Sequence, residues 1–190
     1  LFNEGALTKD RGIRPLSSAA IASASYPSGK DTLAGFDAQF SNGTQKLVVI
    51  QEQSGSSNAD MYVYNTSNNT FDTPQNRTIA ENSRPDLLMF ADKLHLITGS
   101  GLQYSTSALD GSGSWTAAGD STYADPCTIG TVYANRLILS GNTNYRNSVF
   151  YSDVLDSSAS AWDGAHSISI SNISGDEVSC LGTIGSNLII

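Results

Sequence analysis

Histidine is the side chain best suited to acid–base chemistry near neutral pH, and the chain has two, His95 and His166. They stand 71 residues apart, and His95 lies inside the apolar run Leu-His-Leu-Ile-Thr. The sequence lacks the Gly-x-Ser-x-Gly, His-Glu-x-x-His, phosphate-loop and EF-hand motifs that position a nucleophile, zinc, nucleotide or calcium. We therefore expect no enzyme and no catalytic, cofactor-binding or metal-ligating residue, with His95 a strand residue rather than a base.

Other side chains able to bind metal are present, but without a metal-binding pattern. Four aspartates fall in predicted turns and lack the alternating spacing of a calcium loop: Asp153, Asp156, Asp163 and Asp176. Their spacing favours roles in turns and in solubility. Cys127 and Cys180 are 53 residues apart without a Cys-x-x-Cys motif, which predicts two small buried side chains.

A sialidase-type propeller is the catalytic alternative. The segments STSALDGSGSWT (105–116) and SDVLDSSASAWD (152–163) resemble stretched Asp-boxes, which are structural turns. Hydrolysis by such an enzyme also requires an acid, a Tyr nucleophile and arginines that grip a carboxylate. No local pattern connects the four arginines available: Arg14, Arg84, Arg136 and Arg146.

One sequence pattern recurs along the chain and predicts the strands and turns that position these residues. A strand and a polar tight turn are followed by a basic or amide residue and a Leu-led apolar triplet. The lead leucines are 47, 43 and 51 residues apart, about one propeller blade each: Leu47, Leu94, Leu137 and Leu188.

Two aromatic positions repeat after the lead leucine. A tyrosine-bearing strand comes first, with Tyr64, Tyr104 and Tyr151. An aromatic residue before a polar turn follows, as Phe71, Trp115 and Trp162. An exposed tryptophan would stack on a sugar, but equivalent positions in a repeat favour the core between blades.

Each unit supplies about four short strands, and no window has convincing helical periodicity. The pairs Asn42-Gly43, Asp110-Gly111 and Asp163-Gly164 match hairpin turns. A single four-stranded meander cannot bury both faces, whereas meanders stacked radially can. We predict an all-β fold, a β-propeller of four-stranded antiparallel blades with a period of about 47 residues. An ordinary antiparallel sandwich is the alternative.

The repeat divides the chain into successive segments. Residues 1–34 form a lead-in or closing segment, 35–82, 83–124 and 125–174 form blades, and 175–190 begin a further blade. The chain opens on Leu1 without Met and stops inside a predicted strand at Ile190. We therefore expect an incomplete ring and a fragment of a longer polypeptide.

Composition and charge narrow the function classes. Ser, Thr and Asn number 29, 15 and 14 of 190 residues, which suits short strands joined by polar turns. The net charge is −8 and none of the ten basic residues forms a run, which argues against sequence-specific DNA binding. The longest apolar runs, such as 47–50 and 87–90, are far short of the roughly 20 residues that span a bilayer. We expect no membrane insertion by this segment.

Residues 135–190 resemble the propeller of tailed-bacteriophage tail proteins, the tail nozzle and tail hub class. The resemblance lies in an ordered string of positions: Asn135, Arg136, Leu137, Gly141, Asn142, Tyr151, Ser152, Asp153, Trp162, Asp163, Gly175 and Asp176. The blade at 84–120 matches more loosely. The first third hardly matches, apart from the segment GIRPLS (12–17).

The resemblance implies a structural component of the virion, in the phage tail, that takes part in DNA ejection by assembly and without a cofactor. It would form a homo-oligomeric ring, often sixfold, in contact with other tail or portal/adaptor proteins. Genomic double-stranded DNA would pass through its lumen without sequence-specific binding, and an acidic lumen would repel phosphate. A carbohydrate-binding propeller, as a lectin or host-surface adhesin, is the binding alternative.

Overall fold

The computed structural model describes residues 2–3, 6–7, 31–53, 55–65, 70–72, 75–81, 83–107, 115–170 and 177–190. Across these ranges the chain is all-β, as predicted, and its strands pair in antiparallel fashion. A 3₁₀ turn at Ala159–Ala161 is the only helical element within them. A short hairpin comes first in the chain, formed by β1 (Phe2–Asn3) and β2 (Ala6–Leu7).

The first sheet has five strands, one more than predicted for a unit. They are β3 (Thr32–Gln39), β4 (Gln45–Glu52), β5 (Asn58–Asn65), β6 (Thr70–Phe71) and β7 (Gln75–Ala80). The reason is the length of β5, whose eight residues pair with β4 along one edge and with both β6 and β7 along the other. β3 begins at Thr32, inside the segment that was predicted to be a lead-in.

The second and third sheets are four-stranded meanders, in which each strand pairs with the next in the chain. The second contains β8 (Asp86–Phe90), β9 (Lys93–Ile97), β10 (Leu102–Ser105) and β11 (Thr116–Ala117). The third contains β12 (Ile129–Tyr133), β13 (Arg136–Ser140), β14 (Ser148–Tyr151) and β15 (Ser167–Ser169). A last hairpin follows, formed by β16 (Gly182–Ile184) and β17 (Asn187–Ile189).

Two-residue turns connect the first and second strands of the second and third sheets. Ala91 and Asp92 have φ angles of 49° and 58°, and Ala134 and Asn135 have φ angles of 48° and 58°. Two successive left-handed residues are the mark of the type I′ turn, whose twist matches that of the flanking strands. The shared turn type gives the two sheets the same opening hairpin.

The predicted turn pairs lie in different settings. Asn42-Gly43 lies in the longer connection between β3 and β4, where Gly43 has a φ of 84°. Asp163-Gly164 lies ahead of β15, and the Asp163 carboxylate accepts two backbone amides there. Asp110-Gly111 falls outside the described residues.

Apolar side chains pack between successive sheets. One cluster lies between the first and second sheets: Ala38, Phe40, Val48, Ile50, Ala59, Met61, Val63, Ile79, Leu87, Leu94 and Leu96. A second lies between the second and third sheets: Phe90, Ile97, Leu102, Ala118, Ala124, Cys127, Leu137, Leu139, Phe150, Ala161 and Trp162. Because side chains alternate along a strand, β9 contributes Leu94 and Leu96 to the first cluster and Ile97 to the second. The middle sheet is therefore covered on both faces.

The first strands of successive sheets lie beside one another. β3 contacts β8, β8 contacts β12, and β12 contacts β16. One hydrogen bond joins the middle pair, in which the backbone amide of Gly130 donates to the Asp86 carboxylate at 3.0 Å. Burial raises the pKa of Asp86, although the amides of Gly130 and Leu87 oppose the rise. The three sheets and the last hairpin thus follow one another in the order of the chain, joined at their first strands.

Candidate functional site

The lead leucines lie near the start of the second strand of each unit, as the second residue of β9, β13 and β17 and the third residue of β4. Leu94 and Leu137 are fully buried, and each packs on the sheet that comes before it in the chain. Leu188 lines a cleft on the third sheet. Leu47 is partly buried on the face of the first sheet that points away from the second sheet. In each unit, the lead leucine therefore lies on the face of the sheet that points away from the next unit in the chain.

The repeated tyrosines are equivalent in two units and shifted in the first. Tyr104 and Tyr151 each lie opposite the residue that follows the lead leucine. In the first unit that place belongs to Val63, which lies opposite Val48. Tyr64 therefore points to the other face of its sheet, since a shift of one residue reverses the face of a side chain.

The repeated aromatic residues lie in the core. Trp162 is 4% exposed, and its Nε1 donates a hydrogen bond of 3.3 Å to the carbonyl oxygen of Ser157. Trp115 is partly buried against the cluster between the first and second sheets. Phe71 is buried edge-on against Tyr64, with ring centroids 5.4 Å apart. Trp162 therefore presents no free ring face as large as a sugar platform requires.

His95 forms a buried link between the second and third sheets. Its Nε2 lies 2.8 Å from the Ser157 hydroxyl, and both residues have almost no exposed surface. Its Nδ1 lies 3.2 Å from the carbonyl oxygen of Lys93, which only accepts hydrogen bonds, so Nδ1 donates and Nε2 accepts from Ser157. Burial lowers the pKa of His95 to about 4, which keeps the ring neutral. The histidine therefore acts as a structural acceptor here, consistent with a strand residue.

His166 belongs to a separate cluster at the end of the third sheet. Its ring lies 5.1 Å from that of Tyr151, and its Nε2 is 3.8 Å from Oδ1 of Asp153. The guanidinium of Arg136 belongs to the same cluster, 5.4 Å from the Tyr151 centroid and 3.9 Å from Oδ1 of Asp153. Arg136 also donates to the carbonyl oxygen of Ser152. These contacts tie β13, β14 and the start of β15 together.

The turn aspartates bind backbone amides. Asp156 accepts from the amide of Ser158 at 2.8 Å, and this hydrogen bond lowers its pKa. Asp163 accepts two amides of its own turn, while Asp176 lies outside the described residues. Within the described part of the chain, no group of three or more His, Cys, Asp or Glu side chains is placed to hold a metal ion.

The two cysteines differ in their surroundings, which corrects the prediction that both are buried. Cys127 is buried between the second and third sheets, and burial raises the pKa of its thiol to about 12. Cys180 is exposed, because it lies in the irregular stretch before β16 rather than in a strand.

The arginines that a sialidase would need are not brought together. Arg136, Arg146 and Arg84 line three different clefts. Arg146 pairs with Glu177 at 3.5 Å, and both side chains are mostly exposed. Arg14 lies outside the described residues. The described arginines therefore do not converge on a single carboxylate-binding site.

The face of the third sheet that points away from the second sheet is only half covered; we call it the outer face of the third sheet. Ile138 and Val149 are buried there, whereas Ile168 is 49% exposed. The hairpin β16–β17 leans on this face through Leu188, and the Tyr133 hydroxyl donates to the carbonyl oxygen of Ser186 at 3.0 Å. A mainly apolar cleft of about 260 Å³ lies between the hairpin and the sheet.

Two contacts between units were not apparent from the sequence. One is the His95–Ser157 link, and the other joins Asp92 of the β8–β9 turn to the amide and hydroxyl of Ser41, both at 2.7 Å. Their partners are 62 and 51 residues apart in the chain. Only the second contact has a signal in the sequence, because its offset of 51 residues is close to one repeat and equivalent positions in neighbouring units lie side by side.

Comparison of the chain with protein-family models, with curated proteins and with solved structures gives no match. The resemblance to phage tail propellers therefore stays a prediction that rests on the residues quoted for it. Among the described residues, no helix is long and apolar enough to cross a membrane.

Proposed function

We propose that the three sheets and the last hairpin are successive blades of a β-propeller, with the first strand of each blade nearest the axis. The contacts that run from β3 to β8, β12 and β16 support this arrangement. The clusters between consecutive sheets support it too, since each blade of a propeller packs on both of its neighbours. In a two-layer sandwich, one buried layer would separate two sheets, and no sheet would be covered on both faces.

We further propose that the protein is a non-catalytic structural component of a bacteriophage tail, of the nozzle, hub or connector type. The observation that carries this proposal is that the side chains able to react or to bind a ligand make structural contacts instead. His95, Asp92 and Trp162 each join one unit to another instead of lining a shared site. A chain whose reactive groups hold its scaffold together is suited to a mechanical role.

The partners follow from the same proposal. They are further copies of the chain in a ring, other tail or portal/adaptor proteins, and double-stranded DNA in the lumen. The net charge of −8 suits a conduit, because a basic lumen would hold the phosphates that must slide through it. No residue is proposed to hold a cofactor or metal.

A carbohydrate-binding role is not proposed as a second function. Its residue basis was the pair Trp115 and Trp162, and both rings pack against the clusters between the sheets. A stacking platform needs an exposed aromatic face, and Trp162 is 4% exposed.

Electron microscopy of the natural polypeptide, with light scattering in solution, tests the structural role. We expect rings of several copies, or incorporation into tails when it is mixed with tails that lack it. A protein that stays monomeric at every concentration and never joins a tail would contradict the proposal. Specific glycan binding or hydrolysis of a fluorogenic sialoside by that monomer would favour the alternatives.

A further inference from the structure

Leu155 has a backbone conformation that leucine rarely adopts. It is the third residue of the turn Asp153–Asp156, in which the Asp156 amide donates to the carbonyl oxygen of Asp153 at 3.4 Å, and its φ angle is 57°. The left-handed region brings the Cβ of an L-residue close to a carbonyl oxygen, so glycine or asparagine usually occupies this place in a turn. Leucine therefore lowers the stability of this turn.

The side chain of Leu155 does not offset this cost by packing in its own chain. It is 59% exposed, and the neighbouring Val154 is 53% exposed. Neither side chain belongs to the apolar clusters that the described residues form. These two residues, in the connection after β14, are called the Val154–Leu155 pair below.

Hydrogen bonds on both sides hold this turn in place. The Leu155 amide donates to the carbonyl oxygen of Asn135, in the β12–β13 turn, at 2.8 Å. After the turn, the Asp156 carboxylate accepts the amide of Ser158 at 2.8 Å and its hydroxyl at 3.1 Å. The pair is therefore presented by a fixed turn, and a surface that is already ordered loses little conformational entropy when it binds.

The second unit has a leucine at the same place in the sequence. Leu109 comes 46 residues before Leu155, and each leucine is followed by an aspartate and a stretch with several serines that ends at Trp115 or Trp162. A distance of 46 residues is one repeat, so a leucine at this place recurs with the unit. Leu109 itself falls outside the described residues.

We propose that the Val154–Leu155 pair is a contact site for a different protein, which receives it in an apolar pocket with lysine or arginine at the rim. The proposal rests on the assembly role given above, in which the chain joins other tail or portal/adaptor proteins. A contact of this kind gives the leucine a use that a connecting turn lacks, because its exposed side chain becomes buried only in the complex.

Charge favours a basic partner over a second copy of the chain. Asp153 and Asp156 bracket the pair, and the side chain of Asp153 is 53% exposed. Among the described residues, its contacts with Arg136 and His166 are made through Oδ1, which leaves Oδ2 able to accept from a partner. The chain carries a net charge of −8, so a second copy would bring mainly like charge, whereas a basic rim would be attracted.

Thermal unfolding of the natural polypeptide tests whether Leu155 serves its own fold. Asparagine tolerates the left-handed conformation, so Leu155→Asn is expected to raise the thermal midpoint by about 2–4 °C. Ala134→Asn is the matched control, since Ala134 is exposed, has a φ of 48° and lies in the turn that Leu155 contacts. It is expected to raise the midpoint by a similar amount. An unchanged or lower midpoint for Leu155→Asn would show that the leucine stabilises its own chain and would overturn the proposal.

Photo-crosslinking measures the contact itself. A benzophenone side chain is placed at Val154 of the natural polypeptide, in the cells that produce it, and the adducts are mapped by mass spectrometry. We expect an adduct with a different protein, at a segment that combines apolar residues with lysine or arginine. Leu155→Asn is expected to lower the yield of this adduct by about 10-fold or more, and Ala134→Asn to leave it unchanged.

The outcomes separate the occupants and the two proposals. An adduct between two copies of the chain would assign the pair to self-association and would overturn a different partner. Absence of an adduct, or a yield that Leu155→Asn does not change, would overturn the contact even if microscopy finds tail rings. A mapped adduct with a basic partner in cells that contain no phage tail would support the contact and would contradict only the proposed function.

Discussion

The hydroxyl of Ser157, in the connection after β14, donates a hydrogen bond of 2.8 Å to Nε2 of His95 on β9, across 62 residues of chain. Both groups are buried, so neither has water as an alternative partner. At the equivalent position in the third sheet the residue is Ile138, and in the first sheet it is Val48. The second unit therefore has a polar contact at the position where the first and third units have an aliphatic side chain.

Removal of both partners of this pair should destabilise the fold by less than the sum of the two single removals. Ser157→Ala leaves the Nε2 lone pair buried without a donor, which costs about 1–3 kcal/mol. His95→Ile leaves the hydroxyl without its acceptor at a similar cost. We expect the double variant to lose less unfolding free energy in urea than the sum of the single variants, by about 1 kcal/mol or more. Strict additivity would show that the two side chains do not interact.

The buried histidine should make stability depend on pH below neutrality. The pKa of His95 is lowered from 6.5 to about 4 by burial, so the unfolded chain binds a proton between these values and the folded chain does not. The unfolding free energy should therefore be fully retained above about pH 6.5 and should fall toward pH 4 by up to about 3 kcal/mol. His95→Ile should remove this part of the dependence when both proteins are titrated under urea. An identical pH profile for the variant would contradict the assignment.

Gly130 should tolerate a side chain poorly, because the ends of three neighbouring side chains crowd the position. A Cβ at this position would lie 3.0 Å from Leu88 and from Leu139, and would meet the fully buried Ile97. We expect Gly130→Ala to lower the unfolding free energy by about 1–3 kcal/mol. Gly101→Ala is the control, since a Cβ there meets no atom within 4 Å. Equal stabilities of the two variants would show that these side chains move aside without cost.

Trp162 should contribute chiefly to stability. Truncation of a buried tryptophan to alanine typically costs about 3–5 kcal/mol, so Trp162→Ala is expected to lower the urea midpoint strongly. Val154→Ala, at a side chain 53% exposed, should leave the midpoint nearly unchanged. If Trp162→Ala abolished binding to a glycan and left the midpoint unchanged, its place in the core would be wrong.

Periodic features of the fold could be predicted from the sequence, and contacts across the repeat could not. The strands carrying Leu94 and Leu137 follow from short apolar runs after a tight turn, because such runs have few ways to bury their side chains. The face of Tyr64 did not follow, since one residue of register reverses the face and the sequence repeat does not fix register. The fifth strand of the first sheet depends on the length of β5, which leaves a second edge to pair.

The candidate site was least accessible to sequence reasoning. Ser157 has no motif of its own, and only the folded chain brings it to His95. Cys180 was predicted to be buried on residue type alone, yet it lies exposed outside the strands. Contacts between units depend on how the sheets pack, and the local sequence around either residue of a contact does not determine that packing.

The radial arrangement of the units is the central claim, and cryo-electron microscopy of the natural polypeptide tests it most directly. We expect a density in which the sheets surround an axis, with β3, β8, β12 and β16 innermost and the His95–Ser157 contact between the second and third blades. A density in which two sheets enclose a single core, with β8 and β12 on opposite sides of it, would contradict the claim.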